Sequence, residues 1–247
     1  MKREEYPYLY ETHLHTCESS RCARNTGEEM AQACKAAGYA GMIVTEHNWY
    51  GNHCIGGDYS WEEWIERFCK GYEHAKAWGD KNDFDVFFGY EANYQGTEFL
   101  IYGVDKEWLK NHPAIKDASI EKQFQMIHEA GGMIVQAHPF RKEDYIPAVR
   151  LFPEYVDAVE TVNATHSSHL SISHNNHEWD IQAIAYAKEH RLPMTAGSDI
   201  HSTFLFHGGV AFKRRLTDIH DYCKAILQED YLLTDGDNVY NRHGDKI

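Results

Sequence analysis

The segment Thr12-His13-Leu14-His15-Thr16 follows a short aromatic run, Tyr8-Leu9-Tyr10, near the start of the chain. Successive side chains of an extended strand point to opposite faces, so His13 and His15 share a face at a separation of about 7 Å. Two imidazoles this close can bind one metal ion. Alternatively the pair consists of ordinary surface histidines, and only further ligands elsewhere in the chain can decide between the two interpretations.

The composition is that of a soluble globular protein. The chain has 247 residues, of which 43% are hydrophobic and 25% charged, enough for one large α/β domain or two small ones. Acidic residues outnumber basic ones 38 to 24, and the net charge of −14 argues against a nucleic-acid binder, which needs clustered Lys and Arg. The 17 histidines are an excess that favours metal binding or acid–base chemistry.

The cysteines predict a reducing, cytoplasmic location. They form no C-x-x-C pair and no zinc-ribbon spacing, and no signal peptide is recognisable. These cysteines are Cys17, Cys22, Cys34, Cys54, Cys69 and Cys223. Because no apolar run is long enough to span a bilayer, we expect no membrane partner.

Predicted strands and helices alternate along the chain. Thr26 and Glu29 form a capping box that predicts a helix ending near Gly38, and the apolar run 40–45 predicts a strand buried on both faces. The same signals predict strands at 85–90, 99–104, 133–137, 155–161 and 193–197, weaker strands at 210–212 and 232–233, and helices at 60–78, 119–130, 178–190 and 217–228. No repeat or linker divides the chain, so residues 1–247 are predicted to form one domain.

Potential metal ligands follow the carboxyl ends of five predicted strands. They are His13 with His15, then His47, Glu91, His138, and Asp199 with His201. In a parallel barrel these strand ends meet at one rim, where barrel enzymes place their active sites. Each residue alone has an ordinary alternative, such as a turn cap or a solvated strand end, but the joint pattern predicts a metal site.

The residue types indicate which ions would bind. Imidazoles and carboxylates without a thiolate suit Zn, Mn or Fe and disfavour Mg and Ca, which prefer oxygen ligands alone. Seven ligands exceed the four that one tetrahedral ion uses, so at least two ions are predicted. Paired metal ions are typical of hydrolysis at phosphorus.

The same residues resemble the motifs of the polymerase-and-histidinol-phosphatase family, the PHP domain. The similarity extends in order from residue 12 to about residue 210. The motifs are H-x-H at 13–15, T-E-H at 45–47, G-Y-E-A-N at 89–93, A-H-P at 137–139 and G-S-D-I-H at 197–201.

This resemblance implies a distorted (β/α)7 barrel, an α/β fold with two or three divalent transition metal ions at the C-terminal rim of its strands. It also implies phosphoester hydrolysis, with a metal-bound hydroxide attacking phosphorus in line. By position in the motifs, one ion would be held by His13, His15, Glu91 and Asp199. His47 and His201 would contribute to a second ion, and Glu91, as a bridge, and His138 would serve a third or bridging position.

Two positions depart from the family pattern. The Asp or His that usually follows the H-x-H pair is replaced by Ser20 and Arg21, so Glu18, the nearest carboxylate, is a further candidate ligand. The strand after Glu91 lacks the usual histidine, because residues 98–103 contain none.

A phosphate also needs cationic contacts. Arg141 follows the A-H-P motif and Arg21 follows the first strand, so both are predicted substrate contacts, with surface salt bridges as the alternative. His207 is predicted as a proton donor or phosphate contact, and we assign catalytic roles to His201, Arg141 and His207. Four histidines of one loop border either the site or solvent: His166, His169, His174 and His177.

The sequence therefore predicts a metal-dependent phosphoesterase, preferably a monoesterase acting on a small phosphorylated metabolite. Three alternatives remain: a phosphodiesterase or exonuclease acting on nucleotides, a two-metal hydrolase of C–N bonds, and a metal-binding regulatory module without turnover. The C–N alternative is disfavoured because no lysine follows a strand at the right place. The oligomeric state is left open.

Overall fold

The apolar runs lie side by side in one curled sheet in the computed structural model, which describes residues 2–247. In chain order the strands are β1 Tyr8–Leu14, β2 Gly41–His47, β3 Asp85–Tyr94, β4 Thr97–Tyr102, β5 Met133–Gln136, β6 Ala158–Asn163, β7 Met194–Gly197, β8 Gly208–Phe212, β9 Tyr231–Asp235 and β10 Val239–Asn241. Their spatial order is β10-β9-β8-β1-β2-β3-β4-β5-β6-β7. The predicted α/β class is confirmed, whereas the count of seven strand–helix units stays a prediction.

Helices connect most of these strands. They are α1 Gly27–Ala36, α2 Trp61–Phe68, α3 Lys70–Gly79, α4 Lys106–Asn111, α5 Ile120–Glu129, α6 Ala164–Ser167, α7 Glu178–His190 and α8 Ile219–Gln228. Short 3-10 turns cover Lys2–Glu5 and Pro113–Asp117. Within the described residues, no helix has both the length and the apolar character required to cross a bilayer.

The sheet is mixed rather than all-parallel. β1, β2 and β3 are parallel, as are β5, β6 and β7, but β4 runs antiparallel between the two groups. All seven residues of β2 are buried, as its continuous apolar run predicts for a strand covered on both faces. The carboxyl ends of six strands consequently point toward one edge.

Strand β1 contacts both β8, its neighbour in the sheet, and the segment after the end strand β7. Its first half pairs antiparallel with β8, where Tyr10 lies opposite Val210. Its carboxyl end bonds instead to the segment after β7, because the His15 N–H donates to the Ile200 carbonyl at 3.0 Å and the Ile200 N–H donates to the His13 carbonyl at 3.2 Å. These bonds place the H-x-H pair directly beside Asp199.

The helix predicted over 60–78 is divided in two at Cys69. Its start is as predicted, since Ser60 and Glu63 form a capping box, but α2 ends before Cys69 and α3 begins after it. Gly71 of α3 packs closely against the segment after β1, because a Cβ at position 71 would lie 2.0 Å from Thr16 Oγ1. The break is associated with the close tertiary packing of α3, which local sequence signals do not reveal.

Candidate metal centre

The seven predicted ligands converge at the carboxyl edge of the sheet. His13, His15, Glu91, His138 and Asp199 are at most 6% exposed, His47 is 8% exposed, and the His201 side chain is 30% exposed. β1 supplies the first histidine of the H-x-H pair, β2 and β3 supply His47 and Glu91, and the remaining ligands follow strand ends. Parallel register aligns them, since His47 of β2 lies opposite Glu91 of β3.

Glu91 is the hub of this arrangement. Its Oε1 lies 3.2 Å from His13 Nε2 and 3.1 Å from His138 Nε2, while its Oε2 lies 2.7 Å from His47 Nδ1. The two oxygens therefore face different sets of imidazoles. This is the geometry that a bridging carboxylate requires.

Asp199 approaches the H-x-H pair from the other side. Its Oδ1 lies 3.1 Å from His15 Nε2 and 3.4 Å from His13 Nε2. The Nδ1–H of His201 donates to the Asp199 carbonyl at 2.8 Å, which leaves Nε2 of that ring available to an ion.

Four overlapping groups bring their ligand atoms within 4.8 Å of one another. They are His13-His15-Asp199, His13-Glu91-His138, His15-His47-His201 and His47-Glu91-Glu98. Because members are shared, the groups form one continuous centre rather than separate sites.

The donor set fits divalent transition metal ions. His13 Nε2 and Glu91 Oε2 are buried and make no hydrogen bond within residues 2–247, although other ligand atoms lie within 4 Å of each. Lone pairs that converge without forming hydrogen bonds are what a shared ion requires, and unpaired buried polar atoms are otherwise costly. Two ligands also have positive φ angles, 27° at His138 and 54° at Asp199, a strain that is concentrated at functional sites.

Charges are strongly coupled in the metal-free centre. Burial disfavours the charged form of His13, but the carboxylates of Glu160, Asp199 and Glu91 outweigh burial and raise its pKa well above the usual value. Burial together with the imidazoles of His47 and His201 lowers the pKa of His15. Against burial, the Glu91 carboxylate also raises the pKa of His47 well above its usual value, so His13 and His47 are both among the imidazoles that an incoming cation must deprotonate.

Carboxylate and hydroxyl groups orient the ligand imidazoles from behind. Glu160 Oε1 lies 2.9 Å from His13 Nδ1, and Ser20 Oγ lies 3.3 Å from His15 Nδ1. Each contact directs the Nε2 of its ring toward the centre, which is how outer partners fix a metal-binding tautomer. Ser20 also donates to Glu46 at 2.5 Å. The serine that replaces the usual Asp or His of the family therefore helps to orient His15.

Arg141 lies within this centre, as predicted by position. Its Nη1 is 2.7 Å from Asp199 Oδ2, and its Nε donates to His166 Nε2 at 3.0 Å. Asp180 in turn lies 2.7 Å from His166 Nδ1. A buried chain of polar contacts thus holds the guanidinium in place, while its Nη2 makes no hydrogen bond within the described residues.

Three predicted site residues lie elsewhere in the structure. Arg21 is at the surface, where its Nε donates to the His53 carbonyl. Glu18 accepts from the Gly27 N–H at the start of α1 and contacts His74. His207 is exposed, stacks on Tyr39, has a φ of 63°, and is not among the residues that line the cavity at the ligands. Their assigned roles as substrate contact, ligand and proton donor have no support from these positions.

Two further residues, Glu98 and Arg24, lie at the centre or its cavity although no sequence motif indicates them. Glu98 joins His47 and Glu91 because β3 and β4 form an antiparallel hairpin in which Asn93 lies opposite Glu98. The period of two along β4, counted back from Leu100 opposite Glu91, was the available signal. Arg24 lines the cavity in place of Arg21 and makes no ion pair within the described chain.

A cavity of about 760 Å³ opens onto the ligands. Its floor contains His47, Glu91, Glu98, Asp199 and His201, and its mouth carries aromatic side chains. Those at the mouth are Tyr50, Tyr145, Phe204 and Phe206. The volume is in the range of small-molecule sites.

Similarity to known proteins is visible in structure rather than in sequence. No protein-family model matches the sequence, and no curated protein matches it. A two-domain protein from Bacteroides vulgatus, containing a predicted PHP-like metal-dependent phosphoesterase, matches 94% of this chain with a TM-score of 0.66 and 14% identity. This chain spans 66% of that protein's length.

Two further solved structures have the same architecture. One is a chain from Bifidobacterium adolescentis described as a metal-dependent phosphoesterase, with a TM-score of 0.54, 13% identity, and 89% and 96% of the two chains covered. The other is an amidohydrolase from Chromobacterium violaceum with bound sulfate, with a TM-score of 0.52, 16% identity, and 78% and 87% covered. At these identities the likeness confirms the PHP-type resemblance at the level of the fold.

Proposed function

We propose that this chain, which has a PHP-type fold, is a metal-dependent phosphoesterase acting on a small phosphorylated substrate. The observation that carries the proposal is the convergence on Glu91 of two sets of imidazoles at the floor of a cavity that also contains a guanidinium group. We further propose that the curled sheet corresponds to the distorted (β/α)7 barrel, with its metal site at the carboxyl rim. A cytoplasmic location and a single domain over 1–247 complete the proposal.

We expect two or three divalent ions, of Zn, Mn or Fe. His13, His15 and Asp199 would hold one ion and His47 and His201 a second, with Glu91 bridging and His138 completing the set. When bound, such ions supply a water of lowered pKa and neutralise charge that develops on phosphoryl oxygens. His201, with its Nδ1 committed to the Asp199 carbonyl, is held in one tautomer.

The protein's own groups would bind and orient the phosphate. Arg141 is fixed by Asp199 and His166 and retains an unpaired, buried Nη2 that can donate to a phosphoryl oxygen. Arg24 at the cavity wall offers a second guanidinium. Monoesters carry more negative charge than diesters, so two arginines favour a phosphomonoesterase.

The proposal is tested with protein stripped of metal and reloaded with Zn, Mn or Fe. We expect turnover of p-nitrophenyl phosphate that exceeds turnover of bis(p-nitrophenyl) phosphate and disappears with chelation. The double variant His13→Ala/Asp199→Asn should lose this activity while keeping the far-ultraviolet circular dichroism of the parent. A protein that purifies without transition metal, and whose phosphatase activity survives both substitutions, is not this enzyme.

Hydrolysis of a C–N bond is a second candidate, supported by the likeness to the sulfate-bound amidohydrolase. The same reloaded protein assayed on N-acyl and lactam substrates separates the two chemistries. Diesterase activity on nucleotides and a metal-binding module without turnover are further outcomes of these assays. The excess of acidic residues, 38 against 24 basic, disfavours a polynucleotide substrate.

Arg24 and Arg21 form a matched pair for testing phosphate binding. Arg24→Ala should raise KM for a phosphomonoester about tenfold, because one charge-assisted hydrogen bond is lost, with a smaller change in kcat. Arg21→Ala removes an equal charge three residues away but outside the cavity, so its kinetics should match those of the parent. Equal effects of the two substitutions would contradict a direct contact by Arg24.

A further inference from the structure

Cys22 lies beside the imidazoles of His47 and His201, on the side that faces the cavity. Its Sγ is 3.2 Å from His47 Nε2, and Cys22 lines the cavity together with His47 and His201. The sequence motifs indicate a ligand set without sulfur, and none of them includes this cysteine. Its position in the fold nevertheless makes Cys22 a candidate metal ligand.

The neighbouring imidazoles independently indicate an ion at this place. His15, His47 and His201 have ligand atoms within 4.8 Å of one another, and the His15 ring stacks on the other two at 4.1 and 4.5 Å between centroids. His15 Nε2 also lies 3.1 Å from Asp199 Oδ1, and the proposed function assigns this shared histidine to the ion of the neighbouring group. His47 and His201 are then short of a third protein ligand.

Both imidazoles present the correct nitrogen. His201 Nδ1 is committed to the Asp199 carbonyl, which leaves the Nε2 of that ring available, and His47 Nε2 faces the Cys22 sulfur directly at 3.2 Å. The Nε2 atoms of the two rings are therefore directed at the space beside the sulfur. Nitrogen and sulfur ligands on one tetrahedral zinc are about 3.5 Å apart, so the observed 3.2 Å requires only a small adjustment.

Ser20 occupies the position where the family usually has a metal ligand, but it cannot supply the third ligand beside His47 and His201. Ser20 Oγ donates to Glu46 and contacts His15 Nδ1, and it accepts from the His47 N–H at 3.2 Å. That serine supports two ligands from behind. The next side chain along the loop that reaches the cavity with a metal-binding atom is Cys22.

We propose that Cys22 ligates, through Sγ, the ion bound by His47 and His201. This inference rests on the proposed function, because it assumes that the centre holds metal. The centre would then contain two unlike sites: a carboxylate-rich site around Asp199, and a sulfur-containing site with three protein ligands and one open position. A thiolate favours zinc over manganese at the second site.

Cobalt(II) provides a test that does not depend on turnover. The cobalt-loaded parent should show a thiolate-to-cobalt charge-transfer band in the near ultraviolet, and zinc-edge absorption should show a sulfur neighbour at about 2.3 Å. Cys22→Ser should abolish both signals, and Cys22→Asp should restore metal content without the sulfur band. Cys54→Ser, which removes another exposed cysteine of the adjoining loop, should leave both signals unchanged.

Thiol protection gives a second readout on unmodified protein. Zinc should slow alkylation of Cys22 at least about tenfold, as mass spectrometry of labelled peptides would measure, without slowing alkylation of Cys54, because only a coordinated thiolate is shielded. Stoichiometric cobalt binding without a sulfur band, or a band that persists in Cys22→Ser, overturns the ligand assignment alone. Failure to bind cobalt or zinc at all overturns the proposed function as well.

Discussion

Replacing Glu91 by glutamine is expected to lower kcat/KM by at least about 10³-fold and to reduce the number of metal ions bound per chain. Glu91 is 1% exposed, and its two oxygens face separate sets of imidazoles. An amide keeps the shape but removes the negative charge and half of the acceptor capacity. Since the residue is shared by two groups of ligands, one substitution should disturb both.

Metal content by mass spectrometry and steady-state kinetics would measure this effect. Glu98→Gln is an informative comparison, because Glu98 belongs to one group of ligands only and should cost less metal and less activity. Glu121→Gln, on the exposed face of α5, is the control for loss of one charge. If Glu91→Gln keeps its full metal content and its activity stays within about threefold of the parent, Glu91 is not a metal ligand of this centre.

The metal-free protein should lose thermal stability as pH rises, with Tm falling by about 5–10 °C between pH 5 and pH 8. Burial raises the pKa of Glu11 to about 7, although Ser198 and His13 donate hydrogen bonds to it. Burial likewise raises the pKa of Glu46 to about 7 against the hydrogen bonds from Ser20 and Thr16. Both carboxyl groups are held within the fold next to the ligands.

Folding raises the pKa values of both carboxyl groups above their values in the unfolded chain. A pKa raised on folding contributes stability that is complete below the unfolded value and is lost as pH rises through the folded value. For Glu11 and Glu46 this window runs from 4.5 to about 7, and for His13 it begins near 6.5. The lowered pKa of His15 opposes the trend below its usual value of 6.5. The low pKa values of Glu91 and Asp199 contribute stability that is constant in this range.

Thermal unfolding of chelator-treated protein at several pH values would measure the slope. Glu46→Gln removes one titrating group and should flatten it, whereas Glu121→Gln should not. Saturating zinc should oppose the slope, because ligands release protons when they bind metal and affinity rises with pH. A Tm that stays level or increases from pH 5 to pH 8 in the absence of metal would contradict this electrostatic description.

Sequence patterns sufficed for features that depend on local chemistry. The capping boxes at Thr26 and Ser60 and the apolar run of β2 carry their signals in adjacent residues, and these elements form as predicted. The convergence of ligands followed from one rule, the common edge of parallel strand ends. Whether each ligand binds an ion stays a prediction.

Features that depend on register or on turn geometry were not accessible in the same way. Glu98 enters the centre only because β3 and β4 pair in one particular register, and Arg24 faces the cavity because the chain turns after Ser20. His207 was placed near the site by its position in sequence, but it lies exposed on the loop before β8 and does not line the cavity. Long-range strand pairing and loop geometry, rather than local sequence, determine where these three residues lie.

The pairing of β1 with the segment after β7 also has a kinetic consequence. His15 and Asp199 are 184 residues apart in the chain, so their contact closes a loop that contains most strands of the sheet. Contacts of such high sequence separation form slowly, because loop closure is costly before it is rewarded. We therefore expect metal to bind late in refolding, so that cobalt absorbance would report completion of the native topology rather than early collapse.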